Sequence, residues 1–275
     1  MSKLRSLCAA ASASAMVFST VNGAQATPVS GQGTWETTLQ ARDINGDGVA
    51  DAFYDTVLNV TWLADANAAA GGVFDNGDRI TDGQMTWPNA KTWAAELNVY
   101  GLTGWRLPTI IDTGIPGCGD YGYVGTDCGF NVKTISADGL TVYSELAHLF
   151  FTTLGNSSSC DAAGICSTSP ESPPDYWLSN TGPLRNMQAW AYWTGMAYEP
   201  DPRVASWGFY TYFGYQAPTN QSFDLHALAV RPGDVITAVP EPQTVALMLL
   251  GFAAMVMVQR KRAIRRFDTL ADSAV

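Results

Sequence analysis

The end of the chain carries the feature that most constrains its fold. An apolar run at 244–258 is preceded by a Pro-rich marker and followed at once by a dense basic cluster. An apolar helix with this flank stalls in a membrane with its basic end in the cytoplasm. The run is shorter than the roughly 20 residues that a full span prefers, but long basic side chains can snorkel and cover the shortfall. We therefore predict one C-terminal transmembrane helix rather than a buried core helix.

Marker, apolar run and basic cluster together resemble the PEP-CTERM sorting signal, a tail found on exported proteins of Gram-negative bacteria that make extracellular polysaccharide. The residues that carry the resemblance are Pro240, Glu241, Pro242, Arg260, Lys261 and Arg262. The resemblance implies an inner-membrane anchor before processing and recognition by an exosortase-like enzyme. It also implies a final place on the cell surface or in the extracellular matrix.

The amino end predicts export independently. Lys3 and Arg5 precede a small-residue and apolar stretch at 7–21, and an A-x-A site at 24–26 follows it. These are the three parts of a secretory signal peptide. The predicted organisation is a signal peptide at 1–26, one exported domain at 27–238, a sorting segment at 239–266 and a short tail at 267–275.

The exported domain is strongly acidic. Between residues 27 and 238 the chain has 22 acidic and 8 basic side chains, a net charge of about −14. Such a surface repels nucleic acid and anionic lipid head groups, so we expect no nucleic-acid partner. It suits cations, and it disfavours direct capture of an acidic polysaccharide unless a metal ion bridges the charges.

The cysteines of the exported domain form an even set, which is typical of an oxidising compartment. They are Cys118, Cys128, Cys160 and Cys166. Two disulfides are predicted, and of the three connectivities the short loops favour Cys118 with Cys128 and Cys160 with Cys166. A four-thiolate metal site is the alternative, but the spacing contains no C-x-x-C pair.

Periodicity predicts two helices and several strands. Helical spacing of apolar residues runs over 86–98 and over 144–154, where Ser144 can cap the helix and Gly155 can end it. Aromatic residues alternate with others over 207–215, and a further strand is predicted over 223–231. Long loops without a period lie between these elements. The predicted fold class is α+β.

Five short motifs resemble the DUF1566 family, also called the Lcl C-terminal domain, over about Trp35 to Val235. They begin at Val60, Met85, Gly104, Tyr176 and Ala229, and the most specific piece is Trp105, Arg106, Leu107 and Pro108. The resemblance implies a single C-type-lectin-like domain with long loops, and glycan binding in some members. From the residues themselves, Trp62, Trp105, Trp177 and Leu107 are expected in the core. Arg106 is expected to pair with a carboxylate or with carbonyls and so to hold a loop in place.

A run of oxygen-bearing side chains at alternate positions predicts a calcium loop. Gly48 stands at the sixth position, where a tight turn lets several oxygens converge on one hard cation. The twelfth position is Tyr54 rather than Glu, so the neighbouring Asp55 would have to substitute. The predicted ligands are Asp43, Asn45, Asp47, Val49, Asp51 and Asp55. The alternative is a plain β-turn or hairpin.

Aromatic residues give one stretch of the chain an unusual density and suggest a sugar-binding surface. A flat ring can cover the apolar face of a pyranose while polar neighbours meet its hydroxyls. The predicted glycan-facing residues are Trp190, Trp193, Tyr210 and Tyr212. A weaker candidate for a cation or sugar site is the turn at 199–201. Its ordinary interpretation is a structural, Pro-rich turn.

No catalytic constellation stands out, and we predict that the protein is not an enzyme. His148 lies off the apolar stripe of its helix and is expected to be solvated, and His226 has no partner in a known motif. The predicted function is that of a noncatalytic exported surface or extracellular-matrix protein of biofilms, associated with exopolysaccharide and binding glycans. The alternative is an exported hydrolase that acts on this polysaccharide.

Overall fold

Two β-sheets carry the fold. The computed structural model describes residues 28–75, 81–114, 122–123, 127–167 and 177–235, and both predicted terminal segments lie outside these ranges. The first sheet has four antiparallel strands in the order β1-β2-β3-β10. Their bounds are Leu39–Arg42 for β1, Ala52–Asp55 for β2, Val60–Leu63 for β3 and Val230–Pro232 for β10, and a one-turn helix, α1 at Trp35–Thr38, leads into β1.

The second sheet has six strands in the order β4-β9-β6-β7-β8-β5. Its pairs are antiparallel except for β6 with β9, which is parallel. The bounds are Gln84–Met85 for β4, Gly129–Phe130 for β5, Tyr192–Ala197 for β6, Ala205–Tyr210 for β7, Tyr215–Asn220 for β8 and Leu225–His226 for β9. With few helices beside these sheets, the described fold is α+β and mostly sheet.

The first predicted helix is confirmed as α2 at Trp87–Glu96. Pro88 occupies its first turn, where a missing N–H costs nothing. Its buried side chains follow the helical period and face the second sheet; they are Trp87, Ala90, Trp93 and Ala94. Gly101 lies beyond its end with a φ of +91°, a conformation that glycine adopts without strain.

The second predicted helix changes its geometry part-way. Ser144 caps α3 at Glu145–Ala147, since its hydroxyl accepts the N–H of Ala147 at 3.2 Å. The chain then continues as a π-helix at His148–Thr153, closed by the N–H of Leu154 donating to the carbonyl of Leu149. Gly155 ends it at a φ of +69°. The cap and the stop were predicted correctly, whereas the π-helix was not.

Two predicted strands are each divided in the structure. The alternating run 207–215 is not one strand, because the chain turns between β7 and β8 and Tyr210 pairs with Tyr215 across the hairpin. Gly214 makes this turn with a φ of +63°. The stretch 223–231 is divided between β9 and β10, which belong to different sheets. In both cases the alternation continues across a connection, so it cannot show where a strand ends.

Large aromatic side chains fill the space around the sheets. One apolar cluster contains Trp62, Phe150 and Phe209, and another contains Trp105, Leu107 and Trp193. The predicted core positions of Trp62, Trp105 and Leu107 are confirmed, while Trp177 is half-buried. No helix within the described ranges has the length and apolar character needed to cross a bilayer. The apolar run 244–258 lies outside them.

Candidate functional site

The predicted calcium loop connects β1 to β2 as a tight, self-bonded turn. The N–H of Asp51 donates to the carbonyl of Arg42 at 2.8 Å and closes its base. Asp43 accepts the N–H groups of Gly46 at 2.7 Å on Oδ1 and of Gly48 at 2.8 Å on Oδ2. This arrangement draws the backbone around the first carboxylate, as a cation-binding loop requires.

In the middle of the loop, the carboxylate of Asp47 accepts two hydrogen bonds from other residues of the loop. Its Oδ1 accepts the N–H of Val49 at 2.8 Å, and its Oδ2 accepts the amide N–H of Asn45 at 2.9 Å. These hydrogen bonds lower the pKa of the exposed Asp47 carboxyl, so it is ionised at neutral pH. An anionic, solvent-facing carboxylate of this kind can take a hard cation.

Asp55 does not belong to this loop, and its prediction as a ligand is wrong. It lies at the far end of β2, paired with Leu39, whereas the loop joins the end at Ala52. Asp55 is fully buried, and its Oδ1 accepts the N–H groups of Val57 and Leu58 at 2.9 and 3.1 Å. In the parts of the chain that the structure describes, no three His, Cys, Asp or Glu side chains are grouped so that they could hold a metal ion. Calcium binding by the loop therefore remains a prediction.

Of the predicted sugar-facing aromatics, Trp193 is excluded. Its side chain has no exposed surface, and its Nε1–H donates to the carbonyl of Met85 at 2.8 Å. The reason is that both faces of β6 are covered at this point, since the consecutive residues Tyr192, Trp193 and Thr194, whose side chains point to alternate faces, are all buried. Tyr210 is half-buried, with its hydroxyl 2.8 Å from that of Thr219. Trp193 therefore offers no ring to a ligand, and Tyr210 is only partly accessible.

Trp190 and Tyr212 lie together at the surface, with Phe213 beside them. The ring of Trp190 is 47% exposed and lies edge-on to Tyr212, with 6.4 Å between centroids. Phe213 is 42% exposed, and its ring lies 4.1 Å from that of Tyr212. We call Trp190, Tyr212 and Phe213 the aromatic patch. Phe213 was not predicted, because the sequence pattern placed it inside a strand and did not reveal the turn that exposes it.

The backbone beneath the aromatic patch is held by partly buried hydrogen bonds. The hydroxyl of Thr211 accepts the N–H of Trp190 at 3.1 Å and donates to the carbonyl of Gln188 at 2.7 Å. The N–H of Tyr212 donates to the carbonyl of Trp190 at 3.3 Å. Because Thr211 is itself buried, the segment before β6 and the β7–β8 turn form one fixed support. The patch is therefore presented on a rigid base, which lowers the entropic cost of binding.

The turn at 199–201 has a structural role. The N–H of Glu199 and the Nε1–H of Trp207 both donate to Oδ2 of Asp112, at 2.7 and 2.6 Å. Asp112 thereby ties the turn to β7, which agrees with the ordinary interpretation of the Pro-rich sequence.

Both histidines are buried, and the expectation that His148 is solvated is wrong. The segment from Ser144 to Phe150 is covered on all sides, so a position off the apolar stripe is still enclosed. Burial lowers the pKa of His148, against the opposing charge of Asp55. Among the described residues, neither ring nitrogen of His148 has a hydrogen-bond partner. His226, in β9, is also buried.

The disulfide between Cys160 and Cys166 is confirmed. It closes a short loop next to the β7–β8 turn, where the N–H of Ser159 donates to the carbonyl of Phe213 at 2.8 Å. Cys128 is also disulfide-bonded, and Cys118 lies outside the described residues.

Comparison with known protein families identifies the C-terminal segment. The family described as the PEP-CTERM protein-sorting motif matches residues 238–262. The chain carries a PEP-CTERM sorting motif. A motif of this kind implies export, membrane anchoring before processing, and processing by exosortase, a membrane protease. No curated protein and no solved structure matches the chain.

Proposed function

We propose that the exported domain is a noncatalytic surface or extracellular-matrix protein that binds neutral glycans through the aromatic patch. The carrying observation is the exposed pair Trp190 and Phe213 on either side of Tyr212. The sorting motif at 238–262 supports the destination, because it directs proteins to exosortase at the membrane. The polysaccharide made around the cell is then the ligand most available to this surface.

The geometry of the aromatic patch supports a sugar ligand. Exposed indole and phenyl faces offer apolar area to the C–H face of a pyranose. Large exposed hydrophobic side chains that lie next to one another mark an interaction site more often than scattered ones do. Their fixed backbone means that little ordering is needed when a sugar binds.

The charge of the domain favours a neutral glycan over an acidic one. The net charge of about −14 over residues 27–238 would oppose a chain of uronates or sulfates at low ionic strength. A neutral hexose polymer meets no such repulsion. The proposal therefore predicts selective binding of neutral glycans and not nonspecific binding of any polysaccharide.

The proposal includes the DUF1566 resemblance and a C-type-lectin-like domain. Mixed sheets joined by long irregular loops are compatible with such a scaffold. The fold alone would not decide the function, since one scaffold can carry many sites. The glycan-binding assignment therefore depends on the aromatic patch.

We also propose calcium as a cofactor of the loop between β1 and β2. Asp43, Asn45, Asp47, the carbonyl of Val49 and Asp51 supply oxygens of the type that calcium prefers. The bound ion would offset part of the negative charge and stiffen the exposed turn. The contribution of this loop is structural and separate from the aromatic patch.

A two-part experiment tests the proposed function against the alternative of an exported hydrolase. The full-length protein, purified in detergent, is applied to an array of neutral and acidic polysaccharides, and the same polymers are assayed for release of reducing sugar. Binding to neutral polymers without release supports the proposal. Release of sugar identifies a hydrolase, and absence of binding to any neutral polymer refutes glycan recognition.

A further inference from the structure

After β10 the chain crosses one face of the first sheet before it reaches the sorting motif. The N–H of Gly233 donates to the carbonyl of Asn59 at 2.8 Å, and the carbonyl of Gly233 accepts the hydroxyl of Thr61 at 2.7 Å. Gly233 has a φ of +70°, so it can turn the chain at the end of the strand without strain. Val235, two residues later, is only 8% exposed. The chain is therefore still part of the folded domain at this point.

Arg42, at the end of β1, holds Asp234 in place. Its Nε and Nη2 donate to Oδ1 and Oδ2 of Asp234, each at 2.7 Å, which is the bidentate geometry of a strong ion pair. The guanidinium also donates to Oε1 of Gln40 at 2.9 Å and lies 5.4 Å from the ring centroid of Tyr54. The route of the chain toward the sorting motif is thus fixed by folded strands up to Asp234.

The side chains beneath this crossing belong to one face of the first sheet. Gln40, Tyr54 and Thr61 are direct partners across β1, β2 and β3, and direct partners point to the same face. Phe53 and Trp62 alternate with them and belong to an apolar core cluster, so they occupy the opposite face. The residues that surround the crossing are Gln40, Arg42, Tyr54 and Asn59, which we call the exit surface.

The sorting motif begins close to the exit surface. Its match starts at residue 238, three residues after Val235. An extended chain spans at most about 3.6 Å per residue, so residue 238 lies within about 11 Å of Val235, and residue 242 within about 25 Å. A compact domain of this length is about 40 Å across. A protease that holds the motif therefore meets the near side of the domain and not its far side.

We propose that the exit surface contacts exosortase while this membrane protease processes the sorting motif. The matched motif implies the partner, and the fixed route of residues 233–235 determines which side of the domain is turned toward it. The exit surface offers amide, hydroxyl and guanidinium groups. Obligate interfaces are the more hydrophobic ones, so these polar groups suit a contact that separates after processing. The proposal does not depend on glycan binding.

Photo-crosslinking in cells that produce exosortase tests the proposal. A photoreactive benzophenone amino acid is placed in the full-length protein at Gln40, or at Val57, which is 47% exposed in the same turn as Asn59. Irradiation should link both positions to exosortase, identified by mass spectrometry. Ile165 is the matched control, because it is 71% exposed but lies in the disulfide-closed loop next to the β7–β8 turn. This position should give no exosortase adduct.

Each outcome of this experiment decides for or against the exit surface. An exosortase adduct from either exit position, with none from Ile165, supports the proposal. Absence of an exosortase adduct from both Gln40 and Val57 overturns it, as do adducts to lipid alone. Equal yields from Ile165 and the exit positions would also overturn it. Resistance to protease digestion confirms that each variant is folded, and none of these results bears on the glycan array.

Discussion

Arg106 and Glu145 form a bidentate ion pair that connects a loop to the start of α3. Nη1 of Arg106 lies 2.7 Å from Oε2 of Glu145, and Nη2 lies 2.8 Å from Oε1. The same Oε2 accepts the N–H of Thr109 at 2.7 Å. Arg106 was expected to pair with a carboxylate or with carbonyls, and it does both: Glu145 lies 39 residues away in sequence, and Nη1 also donates to the carbonyl of Leu107 at 3.0 Å.

Replacing Arg106 should therefore destabilise the fold. In Arg106→Gln the buried Glu145 carboxylate loses both guanidinium contacts, which should cost about 2 kcal/mol of unfolding free energy. The cost is smaller than for a fully buried pair, because the Arg106 side chain is 32% exposed. Urea unfolding of the full-length protein measures it, with the exposed Arg203→Gln as control. Equal stability of the two variants would disprove a role for the ion pair.

The burial of His148 predicts a loss of stability in acid. Its pKa in the folded protein is below the ordinary value, so protonation favours the unfolded state. This destabilisation of the folded protein is absent above the unfolded-state pKa of about 6.5, and it grows as the pH falls below that value. The unfolding free energy of the wild type should therefore drop more steeply between about pH 7 and about pH 5 than that of His148→Leu. Parallel slopes in urea titrations at these two pH values would contradict this prediction.

The disulfide between Cys160 and Cys166 should contribute measurably despite its short loop. In the chain-entropy account, a link across a separation of six residues restricts the unfolded chain and is worth about 2 kcal/mol. The double variant Cys160→Ser with Cys166→Ser isolates this bond, whereas a reductant would also attack the disulfide of Cys128. Chemical unfolding should show the variant to be less stable by that amount. A difference near zero would mean that the linked loop is uncoupled from global unfolding.

The calcium proposal makes a simple calorimetric prediction. Calcium added to the full-length protein should give a binding heat that Asp47→Ala abolishes, because this variant removes the carboxylate at the centre of the loop. Asp138→Ala is a suitable control, since Asp138 is another exposed aspartate in a self-bonded turn. The same heat in the wild type and Asp47→Ala, or no heat in either, would end the proposal.

Local signals in the sequence predicted local structure well. The apolar spacing and Pro88 located α2, and Ser144 and Gly155 marked the two ends of the second helical segment. The nearest-neighbour disulfide was also found from loop length. Each of these features depends on residues close together in the chain.

Features that depend on tertiary surroundings were not predictable. Trp193 is buried because β6 is packed on both faces at this point, and the sequence does not reveal which strands are covered on both faces. His148 is enclosed because its helix is covered on all sides. Asp55 was assigned to the calcium loop by counting positions, but β2 begins at Ala52 and carries Asp55 away from the loop.

Affinity of the full-length protein for neutral polysaccharide tests the central claim most directly. Measured by affinity electrophoresis in detergent, Trp190→Ala should weaken binding at least about tenfold, because it removes the largest exposed ring of the aromatic patch. Phe223→Ala is the matched control, since Phe223 is 61% exposed and lies outside the patch; it should bind as the wild type does. Equal retardation of the wild type and Trp190→Ala, or equal loss in both variants, would contradict the account.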